Sequence, residues 1–272
     1  MHIKYFLVLA VLGSFILTSC AGDDIPESEG KPVEELYSEA TMAMEGKKYK
    51  EATRLFEEVE RQHPYSQWAT RAELMAAYAS YKDLRYDEAI LALDRFIELH
   101  PGNRDIDYAL YLKGLCFYEQ ISDVARDQAM TSEALDAFNV LIRRFPESQY
   151  SRDSIFKRDL TLDHLAGKEM EIGRYYMNRN QINAAINRFR TVITEYQTTT
   201  HTPEALHRLV ESYMTLGLKD EATRVAAVLG YNYPGSKWYE DSFKLLDAGQ
   251  RAQLLKDRSW VDKTVDSLFK PD

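Results

Sequence analysis

A phrase built around proline recurs four times along this chain and limits the folds that the chain can adopt. The copies read QHPYSQWA, LHPGNRDI, RFPESQYS and NYPGSKWY, with prolines at Pro64, Pro101, Pro146 and Pro234. Each proline stands where an amphipathic run stops, and a few small or polar residues separate it from the next run. Because proline lacks an amide hydrogen and clashes with the preceding turn, the phrase ends one helix and can open another. The sequence therefore predicts helices separated by recurring joints.

An alanine stands twelve residues before each of these prolines and gives the joints a common frame. The pairs are Ala52 and Pro64, Ala89 and Pro101, Ala134 and Pro146, and Ala222 and Pro234. A fifth alanine, Ala185, has Gln197 in place of the proline. Successive alanines are 37, 45, 51 and 37 residues apart, so the basic unit is near 37 residues long. The two longer intervals predict insertions before the third and fourth alanines.

Each unit is predicted to hold two helices. In the first unit, Pro32 suits the first position of a helix, and Gly46 follows the last residue of its apolar face. The second helix begins near Tyr49 and carries Ala52 and Phe56 on one face. Small alanines let the paired helices approach closely, while phenylalanines fill the space beside them. These phenylalanines are Phe56, Phe138 and Phe189.

A small residue also precedes the framing alanine by twelve or more residues in most units. Ala40, Ala77, Gly114 and Gly173 occupy this position, whereas Val210 departs from the pattern in the last unit. A helix, a turn and a second helix with these spacings resemble the tetratricopeptide repeat. The resemblance implies an all-α fold, a superhelical array of about five tetratricopeptide-like helix hairpins with a concave face. We place this array at residues 32–249.

The chain continues beyond the repeats with residues 250–272, which are predicted to form a C-terminal helix or tail. Leu254, Val261, Val265 and Leu268 lie on one helical face. A terminal helix of this kind either caps the last repeat or binds a partner protein.

The N-terminus differs in composition from the rest of the chain. Residues 5–17, YFLVLAVLGSFIL, are an uninterrupted apolar run with the length of a signal-peptide core. The run leads into LTSC, which ends at Cys20 and resembles the lipobox of bacterial lipoproteins. An ordinary signal peptide with a chance cysteine is the alternative. The lipobox resemblance implies a lipoprotein signal peptide at residues 1–19 and acyl chains on Cys20.

Residues 20–31 are small, acidic and unpatterned, which predicts a flexible tether between the lipid and the folded part. The residue after the cysteine is Ala21. In the lipoproteins that this segment resembles, an Asp at that position favours retention in the inner membrane. We therefore expect the chain to be anchored in the outer membrane.

Composition and motifs argue against several functions. The chain has 34 basic and 43 acidic residues, and a nucleic-acid partner is not expected because phosphate contacts need clustered Lys and Arg. Its six histidines form no metal-binding pattern, and no nucleotide-binding, serine hydrolase or metalloprotease motif occurs. We expect no catalytic residues, no metal and no cofactor, and hence no enzyme. Cys116 is predicted to be a buried, unpaired side chain.

Eighteen tyrosines are many for a chain of 272 residues. Several fall on the first helices of the first three units, the helices that line the inner face of tetratricopeptide arrays. They are Tyr37, Tyr78, Tyr81, Tyr108 and Tyr111. Tyrosine offers a large contact area and a hydroxyl at low entropy cost, which suits the binding of an amphipathic strand. Packing between repeats is the alternative for at least half of these side chains.

Two long stretches go beyond the generic repeat, Ala77–Leu115 and Phe145–Phe189. The first contains DRFI followed by IDYALYLKGL, and the second ends in INAAINRF. Together with the lipobox and five units, they resemble the BamD family, lipoproteins of the bacterial outer-membrane protein assembly machine. The resemblance implies a non-enzymatic scaffold, anchored by lipid on the periplasmic face of the outer membrane.

The resemblance also implies partners and their sites. Unfolded outer-membrane proteins are expected at the N-terminal repeats, through Tyr37, Tyr78 and Tyr81. The periplasmic domains of the barrel subunit BamA are expected at the C-terminal repeats, through Arg188 and Arg190; a solvated helix face is the alternative for these arginines. Other lipoproteins of the complex are expected as further partners. A tetratricopeptide pilotin or a cell-division lipoprotein of the envelope is the alternative for the whole chain.

Overall fold

A computed structural model of the chain describes residues 30–256. The predicted signal peptide, Cys20, most of the predicted tether and residues 257–272 lie outside this range. The described part forms twelve helices. They are α1 (Val33–Glu45), α2 (Tyr49–Gln62), α3 (Gln67–Lys82), α4 (Tyr86–Leu99), α5 (Ile106–Tyr118), α6 (Ala129–Arg144), α7 (Gln149–Asn178), α8 (Ile182–Glu195), α9 (Thr202–Thr215), α10 (Lys219–Asn232), α11 (Lys237–Leu245) and α12 (Ala248–Lys256). The prediction of an all-α fold is confirmed.

Consecutive helices pack as five hairpins, α1 with α2 through α9 with α10. The second helix of each hairpin packs on the first helix of the next, and α1, α3, α5 and α7 also contact one another in a row. This is the stacking of tetratricopeptide-like units that the repeat spacing predicted. Within residues 30–256, no helix is long and apolar enough to cross a membrane.

Helix boundaries follow the predicted punctuation, with one correction. Pro32 is not the first helical residue, because α1 begins at Val33 and the Pro32 carbonyl accepts hydrogen bonds from the amides of Glu35 and Leu36. Pro32 is therefore the cap of α1, where its fixed φ and missing amide hydrogen are tolerated. Gly46 follows the last residue of α1 as predicted.

The joint phrases contain a serine that starts the next helix. Ser66, Ser148 and Ser236 each stand two residues after a joint proline and accept a backbone hydrogen bond from the first turn of α3, α7 and α11. Such side-chain caps satisfy amide groups that the helix leaves without partners. Proline and serine together therefore end one helix and begin another within four residues.

The fourth joint lacks proline and is held by threonines instead. The hydroxyls of Thr199 and Thr202 both donate to the carbonyl of Tyr196 at the end of α8, at 2.8 and 3.2 Å. The amide and hydroxyl of Thr200 donate to Asp163 of α7, at 2.8 and 2.6 Å. These hydrogen bonds fix the turn between α8 and α9, so Gln197 can replace the proline without loss of the joint.

The two insertions take different forms. Residues 119–128 form a loop between α5 and α6, which accounts for the longer interval before Ala134. The interval before Ala185 is longer because α7 extends over 30 residues. At 1.5 Å per residue, such a helix is about 45 Å long, roughly twice the length of its neighbours.

The phenylalanines that were predicted to fill the space between paired helices are buried. Phe56, Phe138 and Phe189 are each fully buried. Cys116 is also fully buried, in the cluster that joins the second and third hairpins. Burial raises the pKa of its thiol to about 12.

The last two helices lie against the fifth hairpin. The amide of Gln250 in α12 donates to the Lys219 carbonyl and to the Thr223 hydroxyl of α10, at 2.9 and 2.8 Å. Leu254 packs on the apolar core of the last two hairpins. This part of the predicted C-terminal segment thus covers the end of the array, while Val261, Val265 and Leu268 lie outside the described residues.

Candidate functional site

Five tyrosines of the first helices meet Tyr86, the first residue of α4, and together they form what we call the tyrosine surface. Its members are Tyr78, Tyr81, Tyr86, Tyr108, Tyr111 and Tyr150. Neighbouring ring centroids are 5.2–6.4 Å apart, within the range of favourable aromatic contacts. All six side chains are partly buried, so each remains partly accessible to a ligand.

Three consecutive hairpins contribute to this surface. Tyr78 and Tyr81 are three residues apart in α3, and Tyr108 and Tyr111 have the same spacing in α5. Residues three apart lie on one face of a helix, so each pair projects together. Tyr150 lies in the first turn of α7, and its ring contacts both Tyr108 and Tyr111 at 5.2 Å. The surface therefore runs across hairpins without a break.

A charged pair adjoins the tyrosine surface. The Tyr111 hydroxyl donates to Oδ2 of Asp153 at 2.6 Å, and Nζ of Lys157 approaches the same oxygen at 2.6 Å. Burial opposes ionisation of Asp153, but the hydrogen bonds from Lys157 and Tyr111 outweigh it and lower the pKa of this carboxyl. The Asp153 carboxylate therefore holds the Tyr111 ring in a fixed orientation.

Four tyrosines of the surface have hydroxyls whose pKa is raised, namely Tyr81, Tyr86, Tyr108 and Tyr111. Burial raises the pKa of Tyr81 to about 12, with a smaller contribution from Glu119. Burial also raises the pKa of Tyr108, and for Tyr111 the hydrogen bond to Asp153 adds to the effect. The surface thus presents neutral rings with hydroxyl groups, which can contact apolar side chains and backbone carbonyls alike.

Of the three predicted substrate residues, the structure brings Tyr78 and Tyr81 together and places Tyr37 elsewhere. The Tyr37 ring lies 4.8 Å from Trp68 and 5.3 Å from Phe56, in the core between the first two hairpins. Trp68 in turn lines a separate cavity of about 400 Å³, together with Arg71 and Arg104. Tyr37 is therefore no member of the tyrosine surface, and its role in substrate binding stays a prediction.

The two predicted partner-binding arginines differ in their surroundings. Nη1 of Arg188 lies 3.1 Å from Oε2 of Glu169 in α7, and 42% of the Arg188 side chain is exposed. Arg190 is exposed on the same helix, α8. Both guanidinium groups are accessible to a partner, although Arg188 has an acidic neighbour within its own hairpin.

Tyr86, Tyr150 and Asp153 were not predicted as site residues. A signal for Tyr150 is present in the joint phrase, whose fourth residue after proline is aromatic in three copies, Trp68, Tyr150 and Trp238. Tyr86 belongs to a second helix, and no periodicity in the sequence relates it to the first helices. Asp153 is one of many acidic residues, and only its contact with Tyr111 distinguishes it.

Five stacked hairpins with this frame of small residues define the chain as a tetratricopeptide-type helical array. The model of an outer membrane lipoprotein family, YfiO, matches residues 29–229. The chain therefore belongs to this family, whose curated relatives are outer membrane protein assembly factors named BamD. The resemblance stated from the sequence is confirmed.

Three relatives illustrate the similarity. The BamD of Caulobacter vibrioides is 50% identical over 88% of this chain and 80% of its own length. The BamD of Rickettsia prowazekii is 47% identical over 89% of this chain and 96% of its own length. That of Neisseria meningitidis is 35% identical, covering 85% of this chain and 92% of its own. Family membership makes this chain an outer membrane protein assembly factor, associated with that membrane, and argues against the pilotin and cell-division alternatives.

Proposed function

We propose that this chain is a non-enzymatic scaffold that captures unfolded outer-membrane proteins on the tyrosine surface and passes them to a barrel subunit. The continuous contact of six tyrosines across three hairpins carries the proposal. A barrel strand alternates apolar and polar side chains, and before it pairs in the barrel its backbone N–H and C=O groups are available for hydrogen bonds. Rings and hydroxyls along one row offer both kinds of contact.

The proposal includes a lipid anchor on Cys20. Acyl chains there would hold the array at the periplasmic face of the outer membrane, where unfolded barrel proteins arrive. Each buried methylene contributes about 0.8 kcal/mol, so several chains give stable attachment. The family description as an outer membrane lipoprotein supports this part of the proposal.

The proposal places BamA at the C-terminal hairpins and expects other lipoproteins of the assembly complex as neighbours. Arg188 and Arg190 project from α8, on the fourth hairpin, whereas the tyrosine surface is built by the second, third and fourth hairpins. Substrate and barrel subunit would then occupy separate parts of one array, so both can be bound at once.

The substrate part is tested with a fluorescent peptide whose sequence is the last strand of an outer-membrane barrel protein. Its affinity for the chain is measured by fluorescence anisotropy for wild type, Tyr78→Ala and Tyr150→Leu, the latter of which keeps apolar volume. We expect each variant to bind at least about fivefold more weakly, because aromatic contacts dominate such interfaces. Tyr231→Ala is the matched control, since Tyr231 is 49% exposed on α10, away from the surface. Equal affinity for all four proteins would refute the substrate site.

The partner part is tested by purifying the acylated chain from detergent-solubilised outer membrane and identifying the proteins that accompany it. Recovery of BamA is the expected result. Recovery of a secretin or of division proteins without BamA would contradict the proposed assembly role.

A further inference from the structure

A second groove lies beside the tyrosine surface, between the loop at residues 119–128 and the middle of α7. Its volume is about 530 Å³. Apolar side chains from three elements line it, namely Tyr118 of α5, Ile121 and Val124 of the loop, and Leu160 of α7. The groove exists because of the two insertions, since the loop and the lengthened α7 supply most of its walls.

An exposed apolar ridge continues this groove along α7. Phe156 is 66% exposed and Leu160 is 60% exposed, and these residues are four apart, so their side chains lie one turn from each other. Nothing in residues 30–256 covers either side chain. Contiguous large apolar side chains on a surface are characteristic of protein interaction sites.

The charged side chains that line the groove are acidic. Glu119 and Asp163 line it, together with the imidazoles of His164 and His201. Neither Lys157 nor Lys168 lines the groove, and both have partners. Nζ of Lys157 pairs with Asp153 and lies 5.8 Å from the centroid of the Tyr118 ring, and Lys168 donates to the carbonyl of Ala125 at 2.8 Å. A cationic side chain therefore fits the groove, and an acidic one does not.

The polar groups of the groove leave room for a ligand. Asp163 Oδ1 accepts both hydrogen bonds from Thr200, while Oδ2 lies 3.7 Å from Nε2 of His201. Nε2 of His164 has no hydrogen-bond partner within the described part of the chain. Oδ2 of Asp163 therefore keeps acceptor capacity for a cationic group.

The walls of the groove are held in place. Gly167 of α7 lets His201 approach closely, because a Cβ on Gly167 would lie 3.2 Å from Nε2 of His201 and 3.6 Å from Val124. The hydrogen bond from Lys168 to Ala125 ties the loop to α7. The groove is thus preformed, which lowers the entropy cost of binding.

We propose that this groove docks an amphipathic helix of a partner protein, with a Lys or Arg beside its apolar stripe. The apolar stripe would pack against the ridge of Phe156 and Leu160, as one helix packs into the grooves of another. The cation would lie between Glu119 and Asp163. This site is distinct from the tyrosine surface, which is proposed to take an extended strand.

The test uses two synthetic helical peptides of about 16 residues, roughly 24 Å long. Both carry the same leucine stripe, and one residue beside the stripe is Lys in the first peptide and Glu in the second. Binding is followed by NMR of protein labelled at its isoleucine, leucine and valine methyl groups. The Lys peptide is expected to shift the methyl signals of Ile121, Val124 and Leu160, and the Glu peptide to bind at least about tenfold more weakly.

Variants test whether the peptide binds specifically in this groove or non-specifically to exposed apolar side chains. Leu160→Ala is expected to lower the affinity for the Lys peptide about tenfold, because Leu160 would be a central contact. Glu119→Gln is expected to lower it about threefold, because Glu119 would be a peripheral contact. Leu91→Ala is the matched control, because Leu91 is 71% exposed on α4 and outside the groove. Methyl spectra of each variant verify that it is folded.

Four outcomes would overturn the proposal. The two peptides could bind equally, the methyl signals of Ile121, Val124 and Leu160 could stay unchanged, or Leu91→Ala could weaken binding as much as Leu160→Ala. Concentration-dependent shifts of the same methyl signals without peptide would instead assign the groove to self-association, which also contradicts the proposal. None of these outcomes bears on strand binding at the tyrosine surface, since that has its own peptide and variants.

Discussion

The ring of Phe138 occupies the space that a side chain on Gly114 would need. A Cβ on Gly114 would lie 2.6 Å from Cε1 of Phe138, far closer than atoms of this kind approach. Gly173 and Phe189 repeat the relation one hairpin later, at 2.4 Å. In the third and fourth hairpins, the phenylalanine of the second helix leaves no room for a side chain at the glycine of the first helix. The first hairpin accommodates Ala40 with Phe56, and both are fully buried.

The last hairpin reverses this relation. Val210 departs from the small-residue position, and the residue that corresponds to the phenylalanine is Ala226, four residues after the framing alanine. Both side chains are fully buried in the same cluster. The side chain at the small-residue position is larger here, and the side chain at the phenylalanine position is smaller. The two side chains together therefore fill a nearly constant volume.

Gly114→Ala is expected to lower the free energy of unfolding by about 1–2 kcal/mol. Overpacking costs about 1–3 kcal/mol, and the better helix propensity of alanine returns up to about 1 kcal/mol. Urea denaturation followed by circular dichroism measures the change. Gly102→Ala is the control, because no atom lies within 4 Å of a Cβ at Gly102.

A double variant tests the cause of that loss. Combining Gly114→Ala with Phe138→Leu is expected to cost less than the sum of the two single changes, since leucine leaves room for the added methyl group. Residues in contact show coupling of about 0.5–3 kcal/mol in such cycles. Simple additivity would mean that the phenylalanine ring is not what excludes a side chain from position 114.

The hairpins could be predicted from sequence because their signals are local. The alanine, phenylalanine and proline of a unit fall within a few turns of one another, and their spacing alone places two helices. The tyrosine surface depends instead on how hairpins stack. Tyr108 meets Tyr150 across 42 residues and a lengthened unit, so neither periodicity nor composition could pair them. Tyr37 stands three residues before the small residue of its unit, as Tyr111 does, yet its ring packs against Trp68 and Phe56 and joins no tyrosine of the surface.

The stability of the array is expected to depend on Asp153 in acid. Hydrogen bonds hold the pKa of Asp153 in the folded chain below its ordinary value of 3.8. The carboxylate therefore stabilises the fold above pH 3.8, and this contribution is lost as the pH falls through the lower folded pKa. Asp153→Asn should be less stable than wild type at pH 7, and the difference should shrink on acidification.

Thermal denaturation of both proteins between pH 7 and about pH 3 measures this difference. The exposed Asp136 provides the control, since Asp136→Asn should leave the pH profile close to that of wild type. A difference between Asp153→Asn and wild type that persists unchanged at low pH would contradict the ionic role of this residue.

Cys116 is expected to be unreactive in the folded chain. Its side chain is fully buried and its thiol pKa is raised to about 12, so almost no thiolate is present at neutral pH. In a Cys20→Ser variant, a thiol reagent should modify no cysteine under native conditions and one cysteine in urea. Rapid modification without denaturant would mean that α5 opens readily, against its place in the core.

The pair of Arg188 and Glu169 allows partner binding to be separated from folding. Arg188→Glu places two carboxylates side by side, whereas adding Glu169→Arg restores the bridge with its charges exchanged. Because a surface ion pair contributes less than about 1 kcal/mol, both variants are expected to fold.

If Arg188 contacts BamA, both should bind its periplasmic domains about tenfold more weakly, since the exchanged pair presents the wrong charge on α8. Calorimetric titration measures the affinity, with Arg190→Glu as a variant that leaves the bridge to Glu169 intact. Wild-type affinity in the exchanged variant would assign Arg188 to the internal bridge alone and leave Arg190 as the partner contact.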